Sequence, residues 1–356
     1  RFHSELADAE VSSCNSQFLA SALVNKLAQR SPWEAIIRSN KMFERFALEK
    51  LEYIHKQNPE SAFVLFSYSY AARSLFEFAK SVGWKTVLGQ IDPGPLEEDL
   101  VSELHNSAGI RSYRFEPAPG SYWTEWREEC RLSDFILANS QWSINALKHT
   151  GLSEEKIRLL PLVFQADDDI DLFVRSYPHR FTSQRPLRLL FLGQAGLRKG
   201  THLLIEAAEQ LEGEAVEIKV VGPRQITVPD RFLKHPILRW IGSVPRTSVG
   251  TYYRDADAFL FPTFSDGFGL TQLEAQAWKL PLLASRYCGE VVEDGVTGIV
   301  LDPLSVSSLV SAIRQLIAEP HVLQGMSDKS ILKQKHKMSG LADRLQFAIG
   351  ISPATQ

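Results

Sequence analysis

The feature that most constrains the fold is a regular alternation of short apolar runs with longer amphipathic stretches. In the first half, strand-like runs occupy 62–66, 85–88, 134–138 and 157–160. A helical pattern over 71–82 separates the first two, and Ser140 suits the N-cap of a helix that runs through His149. Strands that alternate with helices form βαβ units, so we expect an α/β protein with parallel sheets.

The same alternation starts again after a break in periodicity between about 167 and 186. A helical pattern covers 201–211, and strand-like runs follow at 216–221, 239–241, 258–261, 282–284 and 298–301. An acidic triplet at 167–169 lies within the break, and it fits a solvated linker better than a metal cluster because no further ligand stands at suitable spacing. We therefore predict two Rossmann-like domains, 1–180 and 186–330, and a helical tail over 331–356 that crosses back to the first domain.

Composition excludes several classes of protein. With 44% hydrophobic and 23% charged residues the chain is an ordinary globular one, and 39 basic against 42 acidic residues leave a net charge of −3. No global electrostatic attraction to nucleic acid follows from that balance. The apolar runs are far shorter than the ~18 residues of a membrane span.

The three cysteines, Cys14, Cys130 and Cys288, have neither zinc nor redox spacing. Free thiols in a reducing cytosol are the expected state, so we predict a cytoplasmic protein. The chain begins with Arg1 and shows no signal peptide. We expect that its true beginning is missing, together with any glycine-rich first turn.

Peripheral membrane contact is an open alternative, because basic and apolar side chains are interleaved between 26 and 46. The basic residues are Lys26, Arg30, Arg38, Lys41 and Arg45, and the apolar residues are Trp33, Ile36, Ile37, Phe43 and Phe46. An ordinary packed helix pair produces the same pattern as an interfacial surface.

The first segment that indicates chemistry is the strand-to-helix turn GQAGLRKG at 193–200. Gly193 and Gly196 let backbone amides approach a ligand, and the N-terminus of the following helix favours an anion. Arg198 and Lys199 add two cations, which makes phosphate the obvious ligand. The spacing fits neither the dinucleotide-binding pattern nor the P-loop, and a plain turn with solvated basic residues would look alike.

A second strand-to-helix turn, PTFSDGFGLTQLEA at 262–275, strengthens that interpretation. In a doubly wound sheet it lies at the carboxyl end of a strand, where ligands bind. Gly267 and Gly269 leave amides available for a second anion contact. Asp266 and Glu274 supply carboxylates that can accept hydrogen bonds from hydroxyls. Phosphate flanked by hydroxyl groups describes a nucleotide sugar.

These segments resemble family-4 retaining glycosyltransferases of the GT-B fold, whose two Rossmann-like domains face each other across a cleft. The run DGFGL through Glu274 is similar to the family's E-x7-E signature, and RKG at 198–200 to its phosphate-binding turn. Segments 253–262, 281–285 and 288–298 resemble the strands around the signature and the family's closing motif. The likeness is specific over about 189–301 and only architectural in the first half.

The resemblance implies an enzyme that moves a sugar from a nucleotide-diphosphate sugar to a hydroxyl acceptor on a glycan or glycolipid. It implies neither a metal nor a bound cofactor, because cations and helix dipoles neutralise the phosphates. Catalytic roles fall on Arg198, Lys199 and Asp266. Donor contacts fall on the following residues: Gly193, Gly196, Gly267, Phe268, Gly269, Leu270, Glu274, Ser243 and Val244.

On the acceptor side the best candidates are Gln90 and Asp92, which follow the strand at 85–88. Asp92 stands before proline, so a turn-forming role is the plain alternative. Tyrosines at 68 and 70 could contact an acceptor, as could tryptophans at 123 and 126, although core packing explains them equally well.

Two departures from the family pattern affect the site. The first signature carboxylate is Asp266 instead of the usual Glu, and Gln194 stands where the family often has Arg. The family's frequent acceptor-side His has no counterpart between His55 and His105. A catalytically inactive nucleotide-sugar-binding module of a larger glycan-synthesising protein therefore stays open as an alternative.

Overall fold

The structure is a computed structural model that describes residues 9–28, 30–107, 115–166, 170 and 172–351. Within these residues the strands are β1 Val64–Tyr68, β2 Lys85–Gln90, β3 Phe135–Ala138, β4 Ile157–Leu159, β5 Leu187–Leu192, β6 Val216–Val221, β7 Leu238–Gly242, β8 Ala258–Phe261, β9 Leu282–Ser285 and β10 Gly298–Leu301. The helices are α1 Asn15–Leu27, α2 Pro32–Gln57, α3 Arg73–Ser81, α4 Pro95–Ser107, α5 Gly120–Leu132, α6 Gln141–His149, α7 Thr201–Gln210, α8 Asp230–Leu233, α9 Val249–Asp255, α10 Leu270–Ala277, α11 Val306–Ala318, α12 Pro320–Lys329 and α13 Leu341–Ala348.

The chain forms two compact units. One comprises 1–89 and 118–136, and the other comprises 90–117 and 137–356. The domain boundaries expected from the sequence stay predictions, and the acidic triplet at 167–169 lies outside the described residues. The first sheet has the strand order β1-β2-β3-β4, with β1 parallel to β2.

The second sheet has the strand order β10-β9-β8-β5-β6-β7, and every neighbouring pair is parallel. After β5 the chain builds β6 and β7 on one side and then returns to place β8 on the other. That reversal of strand order is the switch point at which doubly wound sheets bind ligands. The prediction of an α/β fold with parallel sheets is confirmed.

The core of the second unit lies on both faces of this sheet, because alternate residues of β5 point to opposite sides. Leu187, Leu189 and Phe191 belong to one buried cluster, together with residues of α7 and α11. Leu190 belongs to the other cluster, with Phe261 and residues of α9 and α10. Helices packed on both faces leave the strand ends available for the site.

Within its described residues, 331–351, the tail differs from the continuous helix expected from the sequence. Only α13 is helical there, preceded by one 3₁₀ turn over Gln334–His336. The reason is a pairing with an upstream segment: the Phe164 N–H donates to the His336 carbonyl, and His336 Nδ1 lies 3.1 Å from the Leu162 carbonyl. His336 is buried by this contact, which holds the segment out of a helix.

All three cysteines are free and buried. Burial raises the pKa of Cys288 to about 12, so this thiol stays protonated at neutral pH. The residues that the structure describes contain no helix long and apolar enough to cross a membrane.

Candidate functional site

Two turns meet at the switch point of the second sheet. The turn at 193–200 follows β5 and the turn at 262–269 follows β8, and these strands are hydrogen-bonded neighbours. The Phe264 N–H donates 2.8 Å to the carbonyl of Arg198, and the Thr263 hydroxyl donates to the same carbonyl at 3.1 Å. The structure thus brings together the two segments that the sequence suggested separately.

Glycine is required where the backbones come closest. A Cβ on Gly200, whose φ is 72°, would lie 2.0 Å from the carbonyl oxygen of Pro262. A Cβ on Gly267 would lie 2.1 Å from the carbonyl oxygen of Ile91. These positions pack the turns against each other and against the segment after β2.

Lys199 and Asp266 form an ion pair across the two turns. Both side chains are only 16% exposed, and the Lys199 ammonium also lies 5.0 Å from the centre of the Phe261 ring. Burial lowers the pKa of Lys199, although the Asp266 carboxylate opposes that shift. An ammonium in this position can form charge-assisted hydrogen bonds to phosphate.

Arg198 is held by groups on two other segments. Its Nη1 donates 2.8 Å to the carbonyl of Ser265 and lies 3.6 Å from Oε2 of Glu97. The Ser265 hydroxyl donates to the same Glu97 oxygen at 2.7 Å. Burial raises the pKa of Glu97, with Arg198 opposing the shift. Glu97, on α4, is a site residue that sequence reasoning missed.

Glu274, on α10, is oriented by a buried tyrosine. The Tyr253 hydroxyl donates 2.8 Å to Glu274 Oε2. Tyr253 lies on α9, and sequence reasoning treated its segment only as the approach to a strand. The spacing of 21 residues between the two partners offered no local signal for this bond.

Backbone donors surround the start of α10. Among the described residues, the N–H groups of Gly267, Phe268 and Gly269 have no hydrogen-bond acceptor. Gly269 takes a left-handed conformation with φ 84° directly before Leu270, the first helical residue. Amides at a helix N-terminus beside Lys199 make a suitable anion site.

The first turn also contacts the loop after β6. A Cβ on Gly222 would lie 1.9 Å from the Gly193 carbonyl oxygen, and a Cβ on Gly196 would lie 3.0 Å from the Gln225 side chain. That side chain donates 3.2 Å to Oε1 of Gln194. Gln194 is therefore bonded within this loop pair and adds no charge to the site.

Gln90 and Asp92 lie beside the second turn. The Asp92 carboxylate accepts hydrogen bonds from Gln90 Nε2 at 3.1 Å and from the Gly94 N–H at 2.8 Å, which is the geometry of a turn-forming Asp. Their acceptor-side role stays a prediction. Ser243 and Val244 follow β7 at the same edge of the sheet, and their donor role stays a prediction as well.

Helix α6 supplies two contacts that no sequence pattern indicated. Trp142 Nε1 donates 3.1 Å to the Ser265 hydroxyl, and the Ser143 hydroxyl donates 3.2 Å to the carbonyl of Gly267. Both partners lie more than 120 residues away along the chain. Trp126, one of the aromatic residues considered for acceptor contact, is fully buried. This burial agrees with the alternative of core packing.

Residues 179–333 match the family model described as Glycosyl transferases group 1. This stretch contains β5 to β10 and both turns of the site. The glycogen synthase of Mycobacterium tuberculosis is 32% identical over 148 residues, which are 39% of this chain and 36% of that protein. The matched part thus spans about a third of that relative.

Solved structures match over more of the chain. Sucrose-phosphate synthase from Thermosynechococcus elongatus gives a TM-score of 0.65 at 17% identity, covering 89% of this chain and 79% of that one. HepE of Anabaena, solved in complex with UDP, gives a TM-score of 0.59 at 15% identity, with 84% and 81% covered. The chain has the GT-B fold with two Rossmann-like domains, as expected from the sequence.

Proposed function

We propose that the protein transfers a sugar from a nucleotide-diphosphate sugar to a hydroxyl acceptor, because residues 179–333 match the family model of glycosyl transferases group 1. The acceptor is a glycan or a glycolipid, and the anomeric configuration is retained, as in the family-4 enzymes that the E-x7-E-like segment resembles. No metal takes part. UDP-glucose is the first donor to test, since HepE was also solved in complex with UDP-glucose.

One observation carries this proposal: two cations and a row of unused amides converge at the switch point. Arg198 and Lys199 lie on the turn after β5, and the amides of 267–269 precede α10 on the adjoining turn. A diphosphate placed between them would meet positive charge from both sides. Groups fixed in advance around a leaving group stabilise the charge that develops on it, usually by a large amount.

The carboxylates have separate proposed roles. Asp266 binds hydroxyls of the transferred sugar, and Glu274 binds the ribose hydroxyls. In the structure Asp266 holds Lys199, so an incoming diphosphate would take over Lys199 and leave the carboxylate to the sugar. Ser243 and Val244 lie beside the nucleotide base, and Gln90 and Asp92 lie on the acceptor side.

Retention follows if the acceptor attacks on the face from which the diphosphate leaves. The leaving phosphate oxygen then takes the proton of the acceptor hydroxyl while the sugar–phosphate bond breaks. Lys199 and Arg198 stabilise the departing charge, together with the amides at the start of α10.

Hydrolysis of the donor without acceptor tests the proposal. We expect slow release of sugar from UDP-glucose or another nucleotide sugar in a panel, unchanged by EDTA, and the first-formed anomer seen by NMR should match the donor. Binding of nucleotide sugars without release or transfer would instead favour the inactive module. An inverted first product, or activity that EDTA abolishes, would contradict retention or metal independence.

A further inference from the structure

The first compact unit contains a cavity of about 130 Å³ that the proposed donor site does not use. It lies between α2, the N-terminal half of α5 and the loop that follows β1. Its walls include Asn40, Lys41, Glu44, Tyr70, Tyr122 and Glu125. A cavity of about 150 Å³ in another protein takes up benzene, so this smaller space would accept part of one ring and leave the substituents of a larger ligand outside it.

A buried carboxylate holds one wall of this cavity in an unusual conformation. Tyr70 has φ of 80°, in the left-handed region that non-glycine residues rarely adopt. Glu129, only 1% exposed, accepts the N–H of Tyr70 at 2.7 Å and the N–H of Ala72 at 2.8 Å. Burial raises the pKa of Glu129 to about 7. Strained residues of this kind cluster at ligand sites.

The result of this conformation is a fixed aromatic wall. The Tyr70 ring stacks on Tyr122 with centroids 4.9 Å apart and planes 19° apart. Trp33 packs its ring edge-on against Tyr122 at 5.0 Å. Tyrosine rings present an apolar face beside a polar hydroxyl, which suits a ligand with one apolar face and several hydroxyl groups.

The cavity also holds a carboxylate with acceptor capacity to spare. Glu44 is 6% exposed; it accepts hydrogen bonds from the Ser74 N–H at 3.4 Å and from the Ser74 side chain, and Lys41 Nζ lies 3.9 Å away. Lys41 and Arg73 are closer to Glu125, at 3.2 and 3.0 Å. A buried carboxylate gains from partners that donate good hydrogen bonds, and sugar hydroxyls would supply them.

We propose that this cavity binds one ring of a neutral saccharide, with the stacked pair of Tyr70 and Tyr122 as its aromatic wall and Glu44 accepting from its hydroxyls. Acidic sugars are disfavoured, because the carboxylates of Glu44 and Glu125 line the cavity and Lys41 is the one basic residue among the described residues in its lining. Sugar binding here would not depend on the donor site, so it can be tested separately from transferase activity.

Saturation-transfer NMR on the full chain tests this site, with methyl glycosides of glucose, galactose and mannose as probes and glucuronate as the acidic control. We expect at least one neutral glycoside to bind and glucuronate not to bind. Tyr122→Ala and Glu44→Gln should weaken binding roughly tenfold or more, the effect of losing a contact or a hydrogen bond to a charged group. Ser121→Trp, on an exposed wall residue, should block the cavity without touching the core.

Matched controls are Tyr53→Ala and Glu49→Gln, on exposed positions of α2, and both should bind like the wild type. The proposal is overturned if no neutral glycoside binds. It is also overturned if the three cavity variants, with unchanged melting temperatures, bind normally, or if Asp266→Asn alone removes binding. A chain that binds glycosides at this cavity yet never hydrolyses a nucleotide sugar would refute the transferase proposal and leave this site standing.

Discussion

The Tyr253 hydroxyl donates a 2.8 Å hydrogen bond to Oε2 of Glu274, and this tyrosine side chain is 1% exposed. Burial and the neighbouring carboxylate both raise the pKa of Tyr253, so its phenol stays a donor at neutral pH. Tyr253 therefore fixes the orientation of the carboxylate that we propose binds the ribose.

Tyr253→Phe removes this hydrogen bond and keeps the buried ring. We expect affinity for both donor and bare nucleoside diphosphate to fall about tenfold, the lower effect of losing a hydrogen bond to a charged group. Because ribose contacts do not change during transfer, kcat should move little. Titration calorimetry with UDP measures this, with Tyr252→Phe as the neighbouring control. Equal UDP affinity in Tyr253→Phe and wild type would refute the orienting role.

Glu97 places a negative charge beside Arg198, where we expect the diphosphate. Glu97→Gln keeps an oxygen that can accept from Ser265 but removes the charge, so bare UDP should bind roughly threefold to tenfold more tightly. The control Asp99→Asn also removes one negative charge, at an exposed position of α4, and should leave the affinity for UDP unchanged. Weaker UDP binding in Glu97→Gln would mean that Glu97 mainly supports the local structure.

Much of the second unit could be predicted from local patterns. The strands over 216–221, 258–261 and 298–301 coincide with the expected ranges, because each is an apolar run bounded by turn residues. The cations and carboxylates of the candidate site were predicted to lie together for a related reason: their segments follow strands whose carboxyl ends share one edge of a parallel sheet.

The contacts that complete the site could not be predicted in this way. Glu97 and Ser265 are 168 residues apart, and Trp142 and Ser265 are 123 residues apart. No helical or strand period links such partners, so Glu97 resembled an ordinary exposed acid near a helix start. The continuous helix expected in the tail differs from the structure for the same reason, since the His336 carbonyl accepts a hydrogen bond from the distant Phe164 N–H.

His202 should make the fold sensitive to acid. Its ring stacks on Phe264, 5.3 Å away, and burial lowers its pKa to about 4, below the ~6.5 of an unfolded histidine. Between about pH 4 and about pH 6.5, the unfolded state therefore binds more protons than the folded state does. The stability that is present above about pH 6.5 is lost as the pH falls toward 4.

His202→Phe keeps the stacking and cannot take up a proton. When the pH is lowered from about 7.5 to about 4.5, the wild type should lose up to ~3 kcal/mol more of its free energy of unfolding than His202→Phe loses. Urea denaturation at the two pH values measures the difference, and His179→Gln, at an exposed histidine, should behave as wild type does. Identical pH dependence in all three chains would show that His202 titrates normally.

Peripheral membrane contact stays a prediction, and the structure narrows the residues that could make it. Lys41 is bound to Glu125 at 3.2 Å, whereas Ile36 and Phe43 are 42% and 38% exposed on α2 and Arg38 and Arg45 are exposed. If this face lies on a membrane, the chain should float with anionic liposomes at low salt, high salt should abolish the flotation, and Ile36→Ser with Phe43→Ser should weaken it. A chain that does not float at low salt would refute the prediction.

The central claim is that Lys199 holds the leaving diphosphate, and the most direct measurement is kcat/KM for donor hydrolysis by Lys199→Ala. Losing a charge-assisted hydrogen bond of about 1.5–3 kcal/mol should reduce kcat/KM roughly tenfold to a hundredfold, with weaker UDP binding. Lys219→Ala, at a lysine of β6 that pairs with Glu217, is the control and should retain wild-type turnover. Unchanged hydrolysis and unchanged UDP affinity in a folded Lys199→Ala chain would contradict the account.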